Sequence, residues 1–527
     1  MNRRTQWMTL AVTVLLLLAG CGEGAQSEKG KGAESSGASE AKPKGGTLNV
    51  GYPTQPITLD AQTSQNTAVK DITRPIYEPL VTLDKDAKAV PLLADSYQVS
   101  EDKLTYSFIL RKGVKFHNGK ELKAEDAVAS LNRWLNRANI AKTNLGGAAA
   151  SQKDDYTLEL KLKTPFLLTP DILADPAQPA VIYPKTSIDE AGSGEIKTFV
   201  GTGPFELGEW KQNQYIRLNK FKDYAARSEP ASGAGGKREA LVDEIYFRFV
   251  TDESTRLAGI ASGEYDLAFN ISFDNVAQVE NTPGIKAFPT HGGIINLYYN
   301  TVDGLFKDPK ARQGLNAALN SEEILKTAFR DKRFYTATSS LVLPQHTDWA
   351  SDKGKEAYNQ NNPEKAKQLL KEAGYDGKEL RIFTTRDYAD QYNVAVVVQQ
   401  QLEKIGIKVK LEVYDWATLQ TKLTDTKSWD INPLNYAYRP TFLQYGFWGG
   451  TSGFPRNDQV QQLFDKIKLA SSTKDIRAEV DQVHEFVWSY LPFSIIGQTE
   501  QITAISDKVK GFQNVVGPIF WNISVTR

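Results

Sequence analysis

The chain has 527 residues, enough to bury a large core and to divide into more than one domain or lobe. Lysine plus arginine and aspartate plus glutamate each number 63, so the net charge is zero and no general attraction to nucleic acid is expected. Hydrophobic residues at 40% and charged residues at 24% describe an ordinary globular body, not a disordered or fibrous one.

At the N-terminus, Arg3 and Arg4 precede an almost wholly apolar run over residues 7–18. That run is roughly a dozen residues, too short to cross a ~30 Å hydrocarbon layer as a helix. A basic start, a short apolar stretch and small residues before a cut read as a secretory signal over residues 1–20. The ending Leu18-Ala19-Gly20-Cys21 resembles the bacterial lipobox, which implies cleavage before Cys21 and lipidation of its sulfur. The alternative is an ordinary signal peptide with a chance cysteine. Cys21 is the one cysteine, so it has no disulfide partner, and the two methionines, Met1 and Met8, leave with the signal. Residues 21–46, after Cys21, are mostly Gly, Ser, Ala, Glu and Lys without an apolar face, a flexible tether between anchor and body.

Folded sequence begins at Thr47-Leu48-Asn49-Val50-Gly51, a short strand running into a loop broken by Pro53 and Pro56. Leu104, Tyr106, Phe108 and Leu110 alternate with Thr105 and Ser107, Tyr156, Leu158, Leu160 and Leu162 with Glu159 and Lys161, and Ile245, Phe247 and Phe249 with Tyr246 and Arg248; each is a period-two strand. Between the first two, Glu125 and Asp126 open a helix with Val128, Leu131 and Leu135 on one face. Asp308-Pro309 and Asn362-Pro363 are helix starts, each an Asx cap followed by proline at the first helical position. Gly374 is the stop of the second. Val394, Val397, Val398 and Leu402 mark a further helix up to Gly406, and Ile407, Val409, Leu411 and Val413 a strand after it. The pattern reads as a strand-rich first half and a helix-rich second half, or as two lobes of different build, with no repeat of fixed period.

Catalytic signatures are missing from the sequence. It holds no GxSxG elbow and no P-loop, and His484-Glu485 is followed at 488 by Trp where a zinc protease has its second His. Asp84-Lys85-Asp86 lacks the glycine and glutamate of a calcium loop and reads as a solvated turn. The expectation is a protein that is not an enzyme and needs no cofactor or metal.

Residues 93–133 carry the most specific pattern. Within them, the run from Leu104 through Lys112-Gly113-Val114-Lys115-Phe116-His117-Asn118-Gly119, followed by Ala124-Glu125-Asp126-Ala127-Val128, resembles the signature of the family 5 extracellular solute-binding proteins, of oligopeptide, dipeptide and nickel type. Gly201-Thr202-Gly203-Pro204-Phe205 with Trp210, Ser262-Gly263-Glu264-Tyr265-Asp266, and the block from Asn300-Thr301 through Asp308 and Arg312 to Ala317-Ala318-Leu319 follow in the family's order. Asn320 departs from the family's usual Asp. The resemblance covers residues 47–527. It implies an α/β fold of two lobes, periplasmic-binding-protein-like (type II, cluster C), with a subdomain inserted in the first lobe. The implied boundaries are 47–90, 200–288 and 503–527 for the first lobe, 91–199 for the insert and 289–502 for the second lobe. His117 and Trp210 read as structural.

Ligands of such folds sit between lobes, in a pocket with aromatic walls and few polar groups. Residues 431–450 are aromatic-rich and glycine-broken, so Tyr436, Tyr438, Arg439, Phe447 and Trp448 are candidate lining residues. The segment resembles the loop that supplies, in peptide-binding relatives, an aspartate for the peptide amine. Here it holds no Asp or Glu, and its one charge is Arg439, which suits a carboxylate or phosphate or else a salt bridge. Tyr52 and Gln55 in the first loop, Asn270 and Ser272 after the Ser-Gly-Glu turn, and His291 and Asn296 at the second crossing complete the candidate set.

The resemblance therefore implies a monomeric, lipid-anchored, extracytoplasmic binding protein that hands a solute to an ABC permease and its ATPase subunits. The solute is a short peptide or peptide-like compound. The alternatives are a non-peptide solute, such as a sugar derivative, an anionic compound or a chelated metal, and a sensor or adhesion lipoprotein on the same fold.

Overall fold

The computed structural model describes residues 45–526. The signal, the lipidation of Cys21 and the tether up to residue 44 lie outside the described residues. Local signals in the sequence are realised closely. Asp308 caps the helix Pro309–Ala318 by accepting from Lys310 N at 2.8 Å, and Asn362 caps Pro363–Glu372 by accepting from Lys365 N at 3.0 Å. Helix Ala124–Arg137 is held at its start by Asp126, whose carboxylate accepts from Lys123 N at 3.1 Å and Lys185 N at 2.8 Å. Ala389–Lys404 forms the later helix, and Gly406 after it has φ +88°, a conformation glycine adopts without steric cost.

One eleven-stranded sheet runs through both lobes. Its order is Val409–Tyr414, Leu380–Thr385, Ile431–Ala437, Ile285–Tyr299, Phe493–Ser506, Leu267–Ile271, Thr47–Tyr52, Glu244–Phe249, Tyr215–Lys220, Phe205–Lys211, with Tyr335–Thr336 attached to Phe493–Ser506. The two long antiparallel strands at its middle belong to both lobes. Residues 285–289 of one pair with 502–506 of the other beside Leu267–Ile271, whereas residues 293–299 pair with Ile431–Ala437. Their pairing slips between His291 and Gly293, which bends the ladder where the chain passes from lobe to lobe. Glycine is required there, because a Cβ on Gly293 would lie 1.9 Å from the carbonyl oxygen of Tyr436.

The expectation of a strand-rich half and a helix-rich half gives way to this shared sheet. Its longest strands were hidden from a period-two reading because residues 292–299 and 493–499 are buried on successive positions, covered on both faces. The inserted subdomain carries its own antiparallel sheet, in the order Ala94–Val99, Thr105–Leu110, Thr157–Lys161, Ala149–Gln152. Ala124–Arg137 packs against it through Leu131, Trp134 and Leu135.

Candidate functional site

In each lobe, parallel strands end toward the same space. Thr47–Tyr52 runs parallel to Glu244–Phe249 and Leu267–Ile271, and the helix Glu253–Ser262 connects the last two. In the second lobe, Leu380–Thr385 runs parallel to Val409–Tyr414 and Ile431–Ala437, with Ala389–Lys404 as the crossover. Loops at the carboxyl ends of such strands are where open α/β sheets bind ligands. Here those loops face one another across a cleft of about 550 Å³, within the range of small-molecule sites. Asn270, Ser272 and Glu253 stand on one side, Asp387, Asp390, Gln391, Trp416 and Asn435 on the other, and Gly292 and Gln501 of the long strands form the floor. A smaller chamber of about 90 Å³ shares Thr67, Asn270, Gly292, Ala437, Gln501 and Ile502 with it, and adds Lys70, Asp71, His291, Tyr438 and Arg439. The lobes touch beyond the cleft, where Gln444 Nε2 donates to Asp175 Oδ2 at 3.0 Å and Leu167 N donates to Lys468 O at 2.7 Å.

The structure brings five of the eleven candidate residues to these walls. Asn270 lines both chambers in the left-handed conformation (φ 56°), which asparagine tolerates better than most residues. Ser272 follows it, its N–H bound to Glu253 Oε1 at 2.8 Å. His291 lies with its ring 4.6 Å from that of Tyr438 and its Nδ1 3.2 Å from Glu500 Oε1. The Tyr438 hydroxyl meets His346 Nε2, and burial holds the His346 pKa down at about 4, so this imidazole is neutral near pH 7. Arg439 donates from Nη1 to the carbonyl of Tyr438 at 3.0 Å, and no carboxylate among the described residues pairs with it.

The other six candidates sit elsewhere. Tyr52 is 3% exposed and acts from below, its hydroxyl donating to Asp71 Oδ2 at 2.7 Å. Gln55 turns away to exchange hydrogen bonds with Asn213 at 2.9 and 2.8 Å. Asn296 is fully buried within the long strand Ile285–Tyr299 and lines neither chamber. Tyr436 points to the face opposite Asn435 and Ala437, as strand alternation requires, and packs edge-on against Phe447 at 4.9 Å. Phe447 and Trp448 are corrected from cleft lining to core. They lie in short 3₁₀ turns, where Phe447 meets Phe493 at 5.0 Å and Trp448 meets Phe464 at 5.1 Å. Trp448 Nε1 donates to Phe442 O at 2.8 Å, which satisfies its one polar atom inside.

Sequence reasoning missed the carboxylates. Segment 431–450 has none, but its Asn435 holds one from elsewhere, donating to Asp390 Oδ2 at 2.7 Å. Asp390 lies in the first turn of Ala389–Lys404, and desolvation raises its pKa above the usual aspartate value. Lys70 lies in helix Thr67–Thr73; burial lowers its pKa, and Arg439 and Arg74 add to that effect. The signal for Asp390 was its place at a junction from strand to helix. Nothing local marked Lys70.

Three comparisons place this geometry. The family model described as bacterial extracellular solute-binding proteins, family 5 middle, matches residues 88–456. A glutathione-binding protein of Salmonella choleraesuis is 33% identical over 486 residues, 86% of this chain and 89% of that protein. A probable peptide ABC transporter periplasmic-binding protein of Sinorhizobium fredii is 28% identical over 497 residues, 89% of this chain and 90% of its own. Among solved structures, the binding protein AgaA of A. tumefaciens R10 in complex with agropinic acid superposes with a TM-score of 0.75 at 28% identity, covering 92% of this chain and 99% of that one.

Proposed function

The chain belongs to the bacterial extracellular solute-binding proteins of family 5, and from that premise we propose that it is the lipid-anchored capture component of an ABC importer for short peptides or peptide-like solutes. The observation that carries this reading is the cleft of about 550 Å³ at the carboxyl ends of parallel strands from both lobes, with the long middle strands as its floor. A hinge of two strands lets the lobes approach around a ligand, and ligand contacts made by both lobes favour the closed form that a permease recognises. Cys21 supplies the anchor, residues 21–46 the tether, and the lobes divide at 47–90, 91–199, 200–288, 289–502 and 503–527. The protein acts as a monomer and hands its cargo to the permease and its ATPase subunits. The family is described by solute binding, which supports the reading that this chain is not an enzyme.

The named ligands of two relatives, glutathione and agropinic acid, support a small cargo bearing a carboxylate. Arg439, unpaired with any carboxylate among the described residues, also supports a second reading, an anionic non-peptide solute. Native mass spectrometry of the protein purified without denaturation separates the two. Co-purified masses matching di- to pentapeptides support the peptide reading, and a single non-peptide mass overturns it. If the protein emerges empty, a thermal-shift panel takes over, since a ligand at 100 times its Kd stabilises by about 2.7 kcal/mol.

A further inference from the structure

Beside the smaller chamber of the cleft lies a separate cavity of about 30 Å³, between helix Thr67–Thr73 and residues 174–181. Its charged lining consists of Lys70, Arg74 and Arg238, and no carboxylate lines it; apolar side chains such as Pro79 and Val181 form other walls. Two of the three cations have a carboxylate behind them. Lys70 lies 3.7 Å from Asp71, and Arg238 Nη1 lies 3.2 Å from Glu78. Those carboxylates also serve other donors, since Asp71 accepts from the Tyr52 hydroxyl at 2.7 Å and Glu78 from the hydroxyls of Thr202 at 2.9 Å and Tyr224 at 2.7 Å. Arg74 has only carbonyl oxygens, of Gly517 at 2.8 Å and Val515 at 2.9 Å, and no carboxylate pairs with it among the described residues. The cavity therefore carries a surplus of positive charge. Burial lowers the Arg74 pKa to about 10, and the charge of Arg238 adds to the effect. Two guanidiniums on one cavity repel when no anion lies between them.

An uncharged group points to the same place. Tyr77 lines the cavity and is 2% exposed, its ring 4.9 Å from that of Tyr183, and its hydroxyl has no partner among the described residues. A buried hydroxyl without an acceptor is uncommon in a native fold. The size of the space limits what can fill it. About 10–15 Å³ holds one water, so this cavity admits about two waters or one ion of halide size. Water would leave the surplus charge in place. An anion removes it and accepts from every donor on the walls.

We propose that this cavity is a site for one monovalent inorganic anion of halide size, held by Lys70, Arg74 and Arg238 with the Tyr77 hydroxyl as a neutral donor. Lys70 walls both this cavity and the smaller chamber of the cleft. The ion therefore steadies the helix that presents Lys70 to the cleft and offsets part of the positive charge that the cleft receives from it. The site stands on its own lining and does not depend on which solute the cleft takes.

The test begins with protein purified and crystallised in sodium bromide, whose anomalous scattering locates the ion. A peak among Lys70, Arg74, Arg238 and Tyr77 is expected. Bromide at surface positions alone, an adventitious ion only, overturns the site. In solution, thermal unfolding is followed as sodium chloride replaces sodium gluconate up to about 100 mM at constant ionic strength, so that screening is unchanged. Gluconate is too large for the cavity. The wild-type midpoint should rise with chloride, as it does for any ligand that binds the folded form. Tyr77→Phe removes a hydroxyl with no protein partner, so it should keep the chloride-free midpoint and shift the chloride response to about tenfold higher concentration. Lys70→Met should weaken the response at least as much. A wild-type midpoint indifferent to chloride, or a response that either variant keeps in full, overturns the proposal.

Discussion

Two halves of segment 431–450 make a useful comparison. Residues 435–439 and 442–448 are both rich in aromatic rings, and by composition they look alike. The first half ends a strand beside Gly292 and Gly293, and its Asn435, Ala437, Tyr438 and Arg439 reach the cleft. The second half turns into two 3₁₀ segments, and Phe442, Tyr445, Phe447 and Trp448 are each at most 4% exposed. Ring chemistry does not separate the two. What separates them is whether the backbone lies at the edge of the cleft or folds back onto Phe464 and Phe493.

Truncating the buried half should produce the largest effect. Phe447→Ala empties a site touching Tyr298, Tyr436, Trp448 and Phe493 and should cost about 3–5 kcal/mol in denaturant unfolding. Ligand affinity of the protein that remains folded should change little. A cleft role for this ring would reverse that ranking.

Acid comes next, because each half rests on a histidine whose pKa is held down by desolvation. His484 lies under Phe442 with its ring 5.7 Å away, and His346 bonds Tyr438; burial pulls both pKa values down from 6.5 to about 4. The folded state keeps these rings neutral whereas the unfolded chain protonates them. Stability is therefore complete above about pH 6.5 and falls as pH drops toward 4, by at most about 3 kcal/mol for His484 and by less for His346, whose partial exposure lets solvent screen it. In a pH series of unfolding midpoints, His484→Asn should flatten the decline more than His346→Gln, since His484 is fully buried and His346 is not.

Smaller effects probe the join between the halves. Tyr438→Phe removes the hydroxyl bound to His346 and should cost about 1 kcal/mol, the net worth of one hydrogen bond. Gln444→Ala breaks the contact to Asp175 between the lobes. It should shift small-angle scattering toward a more open form while changing unfolding by no more than about 1 kcal/mol. Arg439→Ala should leave the unfolding midpoint within about 0.5 kcal/mol, because no ion pair among the described residues is lost with it. A large loss of stability from Arg439→Ala would place this side chain among the structural cations and remove it from the ligand.

Helix and strand positions were legible wherever the cause was local. Asp308-Pro309 and Asn362-Pro363 cap the helices they announce, and the alternation at 104–110 is the strand Thr105–Leu110. The long middle strands were not legible, because burial on both faces erases the period-two signal. The site was half legible. Asn270, Ser272, His291, Tyr438 and Arg439 lie near crossings that the family resemblance located. Asp390 was marked only by its place at a junction from strand to helix and Lys70 by nothing local, while Phe447 and Trp448 share a composition with residues that do line the cleft.

The sequence alone determined family, fold class, the absence of catalytic signatures, and most caps and short strands, since these depend on residues close together in the chain. Only the tertiary structure decided which charges share the cleft. Asp390 meets Asn435 across 45 residues, and Lys70 meets Arg439 across the lobes. Such pairings depend on how two lobes and two long strands bring distant loops together. The electrostatic interaction that matters there acts through space over a few ångströms, with no regard for separation along the chain.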